Sequence, residues 1–175
     1  MDSLFNRLII QSVFCLGVVL LGGYQLLFAQ EIKTNESEKV ITGAKGTAEE
    51  ERNRKAVLDF YDAVINKKEY SRAPEWVDPG YKQHKPQVTD GTNGVLDFMR
   101  NITKLYPNNK VQIVRSFVDG DYVILHVHVM QNKPGVPDRA VMDIFRCKNG
   151  KLLEHWDVDQ EVPAASEFKN SNGIF

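Results

Sequence analysis

The order of pattern changes along the chain predicts an α+β domain in which N-terminal helices pack on one face of a curved antiparallel sheet. Three observations carry this. Apolar residues recur at helical spacing from Val57 to Leu105, and strand-like runs follow one another from Lys110 onward. The third is Asn149-Gly150, a dipeptide suited to a tight two-residue hairpin turn, set between two apolar-rich runs.

Residues 1–29 read as an export signal: Arg7 precedes an apolar run from Leu8 to Leu20, and Leu27-Phe28-Ala29 supplies a small-residue cleavage site before Gln30. The rival reading is an uncleaved membrane anchor, because the run broken by Gly22-Gly23 is nearly long enough to span a bilayer. Cys15 lacks the small-residue context of a lipid-modified cysteine. Cleavage would yield an exported chain, periplasmic or secreted, with Cys147 as its one cysteine, so no intramolecular disulfide could form. Residues 30–46 are polar and aperiodic and are expected as a flexible linker.

The folded domain is expected over residues 47–162. Thr47-Ala48-Glu49-Glu50 is a capping box that opens a helix, and Val57, Tyr61, Val64 and Ile65 continue it to about Lys67. A short second helix is expected between Tyr70 and Val77. Tyr81 to Pro86 reads as an extended, proline-bounded segment, and Val95, Phe98, Met99, Ile102 and Leu105 mark a third helix that stops before Pro107. Strands follow at 111–118, at 122–130 and on both sides of Asn149-Gly150. Residues 163–175 form a polar tail whose Ile174-Phe175 could dock on the body.

A regular hairpin about Asn149-Gly150 pairs Cys147 with Leu152, Phe145 with Glu154 and Asp143 with Trp156. That register places Val141, Asp143, Phe145, Cys147, Leu152, Glu154, Trp156 and Val158 on one mostly apolar face. Carboxylates on such a face need partners or mark a site. Asp143 has two readings: a general base, or a structural hydrogen-bond acceptor. Glu154 either joins the pocket wall or reaches solvent. His155, Asp157 and Asp159 fall on the opposite face and are expected as a solvated edge or dimer surface, with Arg146 as a possible partner.

The segments Tyr81-Lys82-Gln83-His84-Lys85-Pro86, Gly91 to Pro107, Asp143-Ile144-Phe145-Arg146 and Gly150 to Asp157 together resemble the SnoaL-like family of the nuclear-transport-factor-2-like superfamily, polyketide-cyclase-like proteins of cone-shaped fold. The resemblance covers residues 47–162. It implies a pocket for a small carbonyl-containing or cyclic molecule, and a choice among cyclase, dehydratase, isomerase, epoxide hydrolase and non-catalytic binding roles. It places Asp143 where related limonene-epoxide hydrolases hold a catalytic carboxylate, Trp156 on the last pocket-lining strand, and His84 at a polar pocket position near Tyr81. Val141 and Val158 stand where those hydrolases carry an Arg and a second Asp, so their epoxide-opening machinery is not reproduced. Family cyclases place a catalytic Asp shortly after the Trp; Asp157 and Asp159 are available, but both face away from Trp156 unless a bulge intervenes.

His126 and His128 share one strand face, and a symmetric loop around Pro134-Gly135 would set His126 opposite Asp143 as a proton-transfer dyad, with His128 also lining the pocket. The same pair with His84 or Asp143 could instead form a metal site, a weaker reading. With no Gly-rich phosphate loop, nucleophile elbow or CxxC pair, no cofactor is expected. A formal net charge of −1 without a basic stripe argues against nucleic acid. The expected partner is a small organic ligand, handled by cofactor-free acid-base chemistry as a lyase or isomerase, with non-catalytic binding or scaffolding as the alternative. The other face of residues 122–130, carrying Val123, Leu125, Val127 and Val129, suggests a homodimer packed sheet to sheet.

Overall fold

The computed structural model describes residues 40–175, and the stretch expected as an export signal and most of the stretch expected as a linker lie outside them. Strand β1 (Ile41–Thr42) falls within the stretch expected as a linker and pairs parallel with β3, Ile41 beside Arg115. Helix α1 (Ala48–Phe60) starts at the Thr47 capping box, with Thr47 Oγ1 accepting from the Glu50 amide and the Thr47 amide donating to Glu50 Oε2. It continues as widened, π-helical turns over Tyr61–Asn66, where the Lys67 amide donates to the Asp62 carbonyl. A 3-10 turn (Tyr70–Glu75) leads into β2 (Val77–Gln83), and α2 (Gly91–Leu105) follows.

Four strands in sequence, β3 (Lys110–Asp119), β4 (Tyr122–Met130), β5 (Arg139–Lys148) and β6 (Lys151–Glu161), form the antiparallel centre of the sheet. The full order is β1-β3-β4-β5-β6-β2, with both edge strands parallel to their neighbours. The architecture is the α+β cone the sequence predicts. Asn149 and Gly150 both take positive φ, 52° and 75°, as the tight turn requires. Helix α1 holds that turn in place, since Asn53 Oδ1 accepts from the Gly150 amide at 2.9 Å.

The core lies between the helices and the concave sheet face. Val57 and Val64 from the long helix meet Val123, Leu125, Cys147 and Leu152, all fully buried. Removing such side chains from water is the main source of stability here. The valine-rich face of β4 is therefore the core face, because the helical layer covers it; the dimer argument built on those valines does not hold. The opposite face of the sheet carries Phe117, Ile144, Met142 and Val158, each more than a third exposed. The tail does dock there: the Phe175 ring stacks on His126 and His128 at 5.5 and 4.1 Å.

Candidate active site

The decisive local feature is a bulge in the β5–β6 hairpin. Cys147 pairs with Leu152 as expected, but Arg146 pairs with Glu154, so Leu153 is left out of the ladder. Every later residue of β6 is displaced by one: Phe145 faces His155, and Asp143 faces Asp157. A one-residue displacement exchanges the two faces. His155, Asp157 and Asp159 therefore join Asp143 and Phe145 on the wall of a cavity of about 180 Å³, while Glu154 and Trp156 leave it.

Asp143 is 5% exposed, and both its oxygens are engaged. Tyr61 donates its hydroxyl to Oδ2 at 2.7 Å, and His155 Nε2 lies 2.9 Å from Oδ1. The π-helical turns begin at Tyr61, which delivers its side chain from the helical layer to the sheet. Burial, then the negative Asp143, pushes the Tyr61 hydroxyl well above its ordinary value of 10, so it is a fixed donor. Burial likewise raises Tyr81, which lines the same cavity.

Hydrogen-bond roles fix the His155 tautomer. The Lys85 backbone amide, which can only donate, lies 3.0 Å from Gln83 Oε1, so that oxygen is an acceptor. His155 Nδ1 is 2.9 Å from the same oxygen and must carry a proton. Asp143 and His155 Nε2 then share one further proton between them. Gln83 reaches His155 because β2 pairs parallel with β6, Gln83 beside His155. At the rim, Lys85 bonds both oxygens of Asp157 at 2.9 and 2.8 Å, and Arg139 bonds Asp159 at 2.7 Å.

The remaining expected site residues divide by face. Tyr81 and Phe145 line the cavity with Asp143. His84 does not: it is exposed, stacks on Trp156 with ring centres 4.5 Å apart, and lies 2.8 Å from Glu154. Glu154 also pairs with Arg146, so Arg146 serves Glu154 and not the acids of the other face. His126 pairs with Met142, and Leu125 takes the place opposite Asp143; the loop from 131 to 138 is asymmetric, which sets both histidines on the outer face. There His126 Nδ1 meets Arg115 at 2.8 Å and His128 Nε2 meets Asp138 at 2.8 Å.

The metal set of His126 and His128 with His84 or Asp143 is therefore not brought together. Among the described residues, Asp143, His155 and Asp157 do place ligand-type atoms within 4.8 Å of one another. Their oxygens are matched by Tyr61 and by Lys85, so the group stands as a closed hydrogen-bonded network.

A family model for SnoaL-like polyketide cyclases matches residues 55–167. The chain belongs to the SnoaL-like family. Among solved structures, a candidate polyketide cyclase from Bacillus cereus is 23% identical over 71% of this chain and 88% of its own, with a TM-score of 0.61. A candidate SnoaL-like polyketide cyclase from Jannaschia sp. is 21% identical, covering 67% and 91%, with a TM-score of 0.56. A candidate ketosteroid isomerase from Kribbella flavida is 16% identical, covering 71% and 92%, with a TM-score of 0.54. No curated protein matches the chain. At these identities the neighbours establish the fold alone, and the chemistry of this SnoaL-like chain resides in its own cavity.

Proposed function

We propose that this SnoaL-like chain is a cofactor-independent enzyme of the cyclase or isomerase type, acting on a small, mostly apolar carbonyl compound. The observation that carries the reading is the buried Asp143 with Tyr61 and His155 at 2.7 and 2.9 Å on the wall of an apolar cavity. Asp143 takes a proton from the carbon α to the carbonyl. The proton returns either to another carbon, as in an isomerisation, or to the alkoxide left when the enolate closes a ring on a second carbonyl. No net proton is gained, so a pair that holds and returns one is sufficient. The Tyr61 hydroxyl, 2.7 Å from Asp143 Oδ2, holds the carboxyl group in place through both transfers.

A test is exchange of α-protons of 2-tetralone for deuterium, followed by NMR in heavy water. Exchange above the buffer rate that is lost in Asp143→Asn and in His155→Gln, and kept in His84→Ala and His126→Ala, supports the reading. A wild-type chain that binds the ketone and exchanges nothing favours the second reading, a binding module. That alternative draws on the same observation, since both Asp143 oxygens are already satisfied.

Two further proposals concern the chain's setting. Export rests on the apolar run and the site before Gln30, and an intact mass corresponding to a chain that begins at Gln30 checks it. Homodimerisation rests on the outer sheet face, where Phe117, Ile144, Met142 and Val158 leave apolar surface exposed.

A further inference from the structure

One polar side chain on the cavity wall has no role in the network around Asp143. Gln131 is 6% exposed, and its Oε1 is buried without a hydrogen-bond partner among the described residues. A buried acceptor left unpaired is costly, so such a group either goes unexplained or awaits a donor from a ligand. Its backbone is held, because the Gln131 amide donates to Asp138 Oδ1 at 3.0 Å while Asp138 Oδ2 meets His128.

A second amide lies across from it. Lys110 pairs with Met130 at the end of the β3–β4 ladder, so Asn109 and Gln131 sit one step beyond the last pair. Asn109 is also 6% exposed and also lines the cavity. Lys68 Nζ donates to Asn109 Oδ1 at 2.8 Å, which leaves the Asn109 Nδ2 as a donor. An acceptor and a donor are thus carried by two residues at the same end of the cavity wall, separated along the β4 face from Leu125, the partner of Asp143, by Val127 and Val129.

We propose that Gln131 and Asn109 form a second recognition point of the cavity, taking a hydroxyl at the end of the ligand remote from the carbonyl that meets Asp143 and His155. A hydroxyl donates to Gln131 Oε1 and accepts from Asn109 Nδ2, whereas a purely apolar end leaves the acceptor unpaired. The ligand class is accordingly a compact, apolar ring compound with a carbonyl at one end and a hydroxyl at the other. This inference rests on the carbonyl-pocket reading above and adds the specificity for the far end.

The experiment compares 6-acetyl-2-naphthol with 2-acetylnaphthalene, which differ by one hydroxyl, using titration calorimetry on the wild-type chain, Gln131→Met and Asp143→Asn. The wild type is expected to prefer the naphthol by about tenfold or more, because a site built to bond a hydroxyl rejects the analogue lacking it. Gln131→Met, similar in length and unable to accept strongly, is expected to bind the two ketones alike. Equal binding by the wild type overturns the inference without recourse to any variant. A preference that survives Gln131→Met and vanishes in Asp143→Asn overturns it too, placing the hydroxyl at the dyad and leaving the proton-transfer reading intact. Failure of the wild type to bind either ketone removes the carbonyl pocket itself, and the inference with it.

Discussion

Asp143 and His155 meet at 2.9 Å because Leu153 has no partner across the hairpin. Without that extra residue in the count, Asp143 would face Trp156 and the imidazole would point to the outer face. With it, the two ionisable groups are diagonal neighbours on the concave wall, and Gln83 from the edge strand completes a chain from Tyr61 to the Lys85 amide.

That chain predicts a difference between two substitutions at Asp143. In Asp143→Asn, the amide oxygen still accepts from Tyr61 and the amide nitrogen donates to His155 Nε2, so every bond has a partner. Stability is expected to change by less than about 1 kcal/mol in urea titrations while α-proton exchange is lost. Asp143→Ala strands the Tyr61 hydroxyl and His155 Nε2 and should cost about 2 to 5 kcal/mol. Equal losses for the two variants would show that shape, and not hydrogen bonding, holds Asp143.

His84 and Glu154 supply a contrasting expectation. Both lie outside the cavity, and the Glu154 carboxyl is held below its usual range first by His84 and then by Arg146. A depressed folded-state value means that this contribution is present above about pH 4.5 and is lost as the pH falls through the folded value. Glu154→Gln should therefore weaken the protein slightly near neutrality and less in acid, with ketone binding unchanged. A change in ketone affinity would place Glu154 at the cavity after all.

Alkaline stability follows from the buried thiol and phenols. Burial pushes Cys147 from its ordinary 9.0 up to about 12 and raises Tyr61 well above 10. A raised value means that the folded chain holds its proton more tightly than the unfolded one. Stability from Cys147 is then complete below about pH 9 and is lost as the pH climbs towards about 12. Circular dichroism between neutral and strongly alkaline pH should show this limb, displaced upward in Cys147→Ala. If Cys147→Ala leaves it in place, the tyrosines alone set it.

The outer sheet face predicts association. Phe117, Ile124, Ile144 and Trp156 form one cross-strand row, and His126, Met142 and Val158 form the next. Light scattering is expected to return a dimer, and Ile144→Lys, which sets a charge in the middle of the patch, should return a monomer of unchanged fold. A wild-type monomer at high concentration would leave the docked tail, among the described residues, as the cover for this face.

Helix starts and the hairpin turn were legible because their signals are local. Thr47 with Glu50 and Asn149 with Gly150 each specify a geometry within four residues. Asp143 was legible as a carboxylate on an apolar face. Its partners were not, for two physical reasons. A bulge leaves no strong mark in composition, since Leu153 suits a regular strand as well as an irregular one, and a single displacement exchanges His155 for Trp156. The β4–β5 loop then set the faces of His126 and His128 by an asymmetry that alternation alone does not contain. Gln131 carries no signal in the sequence because one amide at the end of a strand is ordinary, and only its burial without a partner among the described residues distinguishes it.

The bulge itself can be tested energetically through double-mutant cycles among Asp143, His155 and Trp156. His155 shares a hydrogen bond with Asp143, whereas Trp156 lies on the other face and stacks on His84. A cycle of Asp143→Ala with His155→Ala should therefore give a coupling of about 1.5 to 3 kcal/mol, the range for a hydrogen bond to a charged group. A cycle of Asp143→Ala with Trp156→Ala should be additive to within about 0.5 kcal/mol, because the two side chains share no partner. The regular hairpin reverses both expectations, since it puts Trp156 directly across from Asp143 and turns His155 outward. Strong coupling to Trp156 with none to His155 would thus remove the bulge, and with it the placement of the proton-transfer pair.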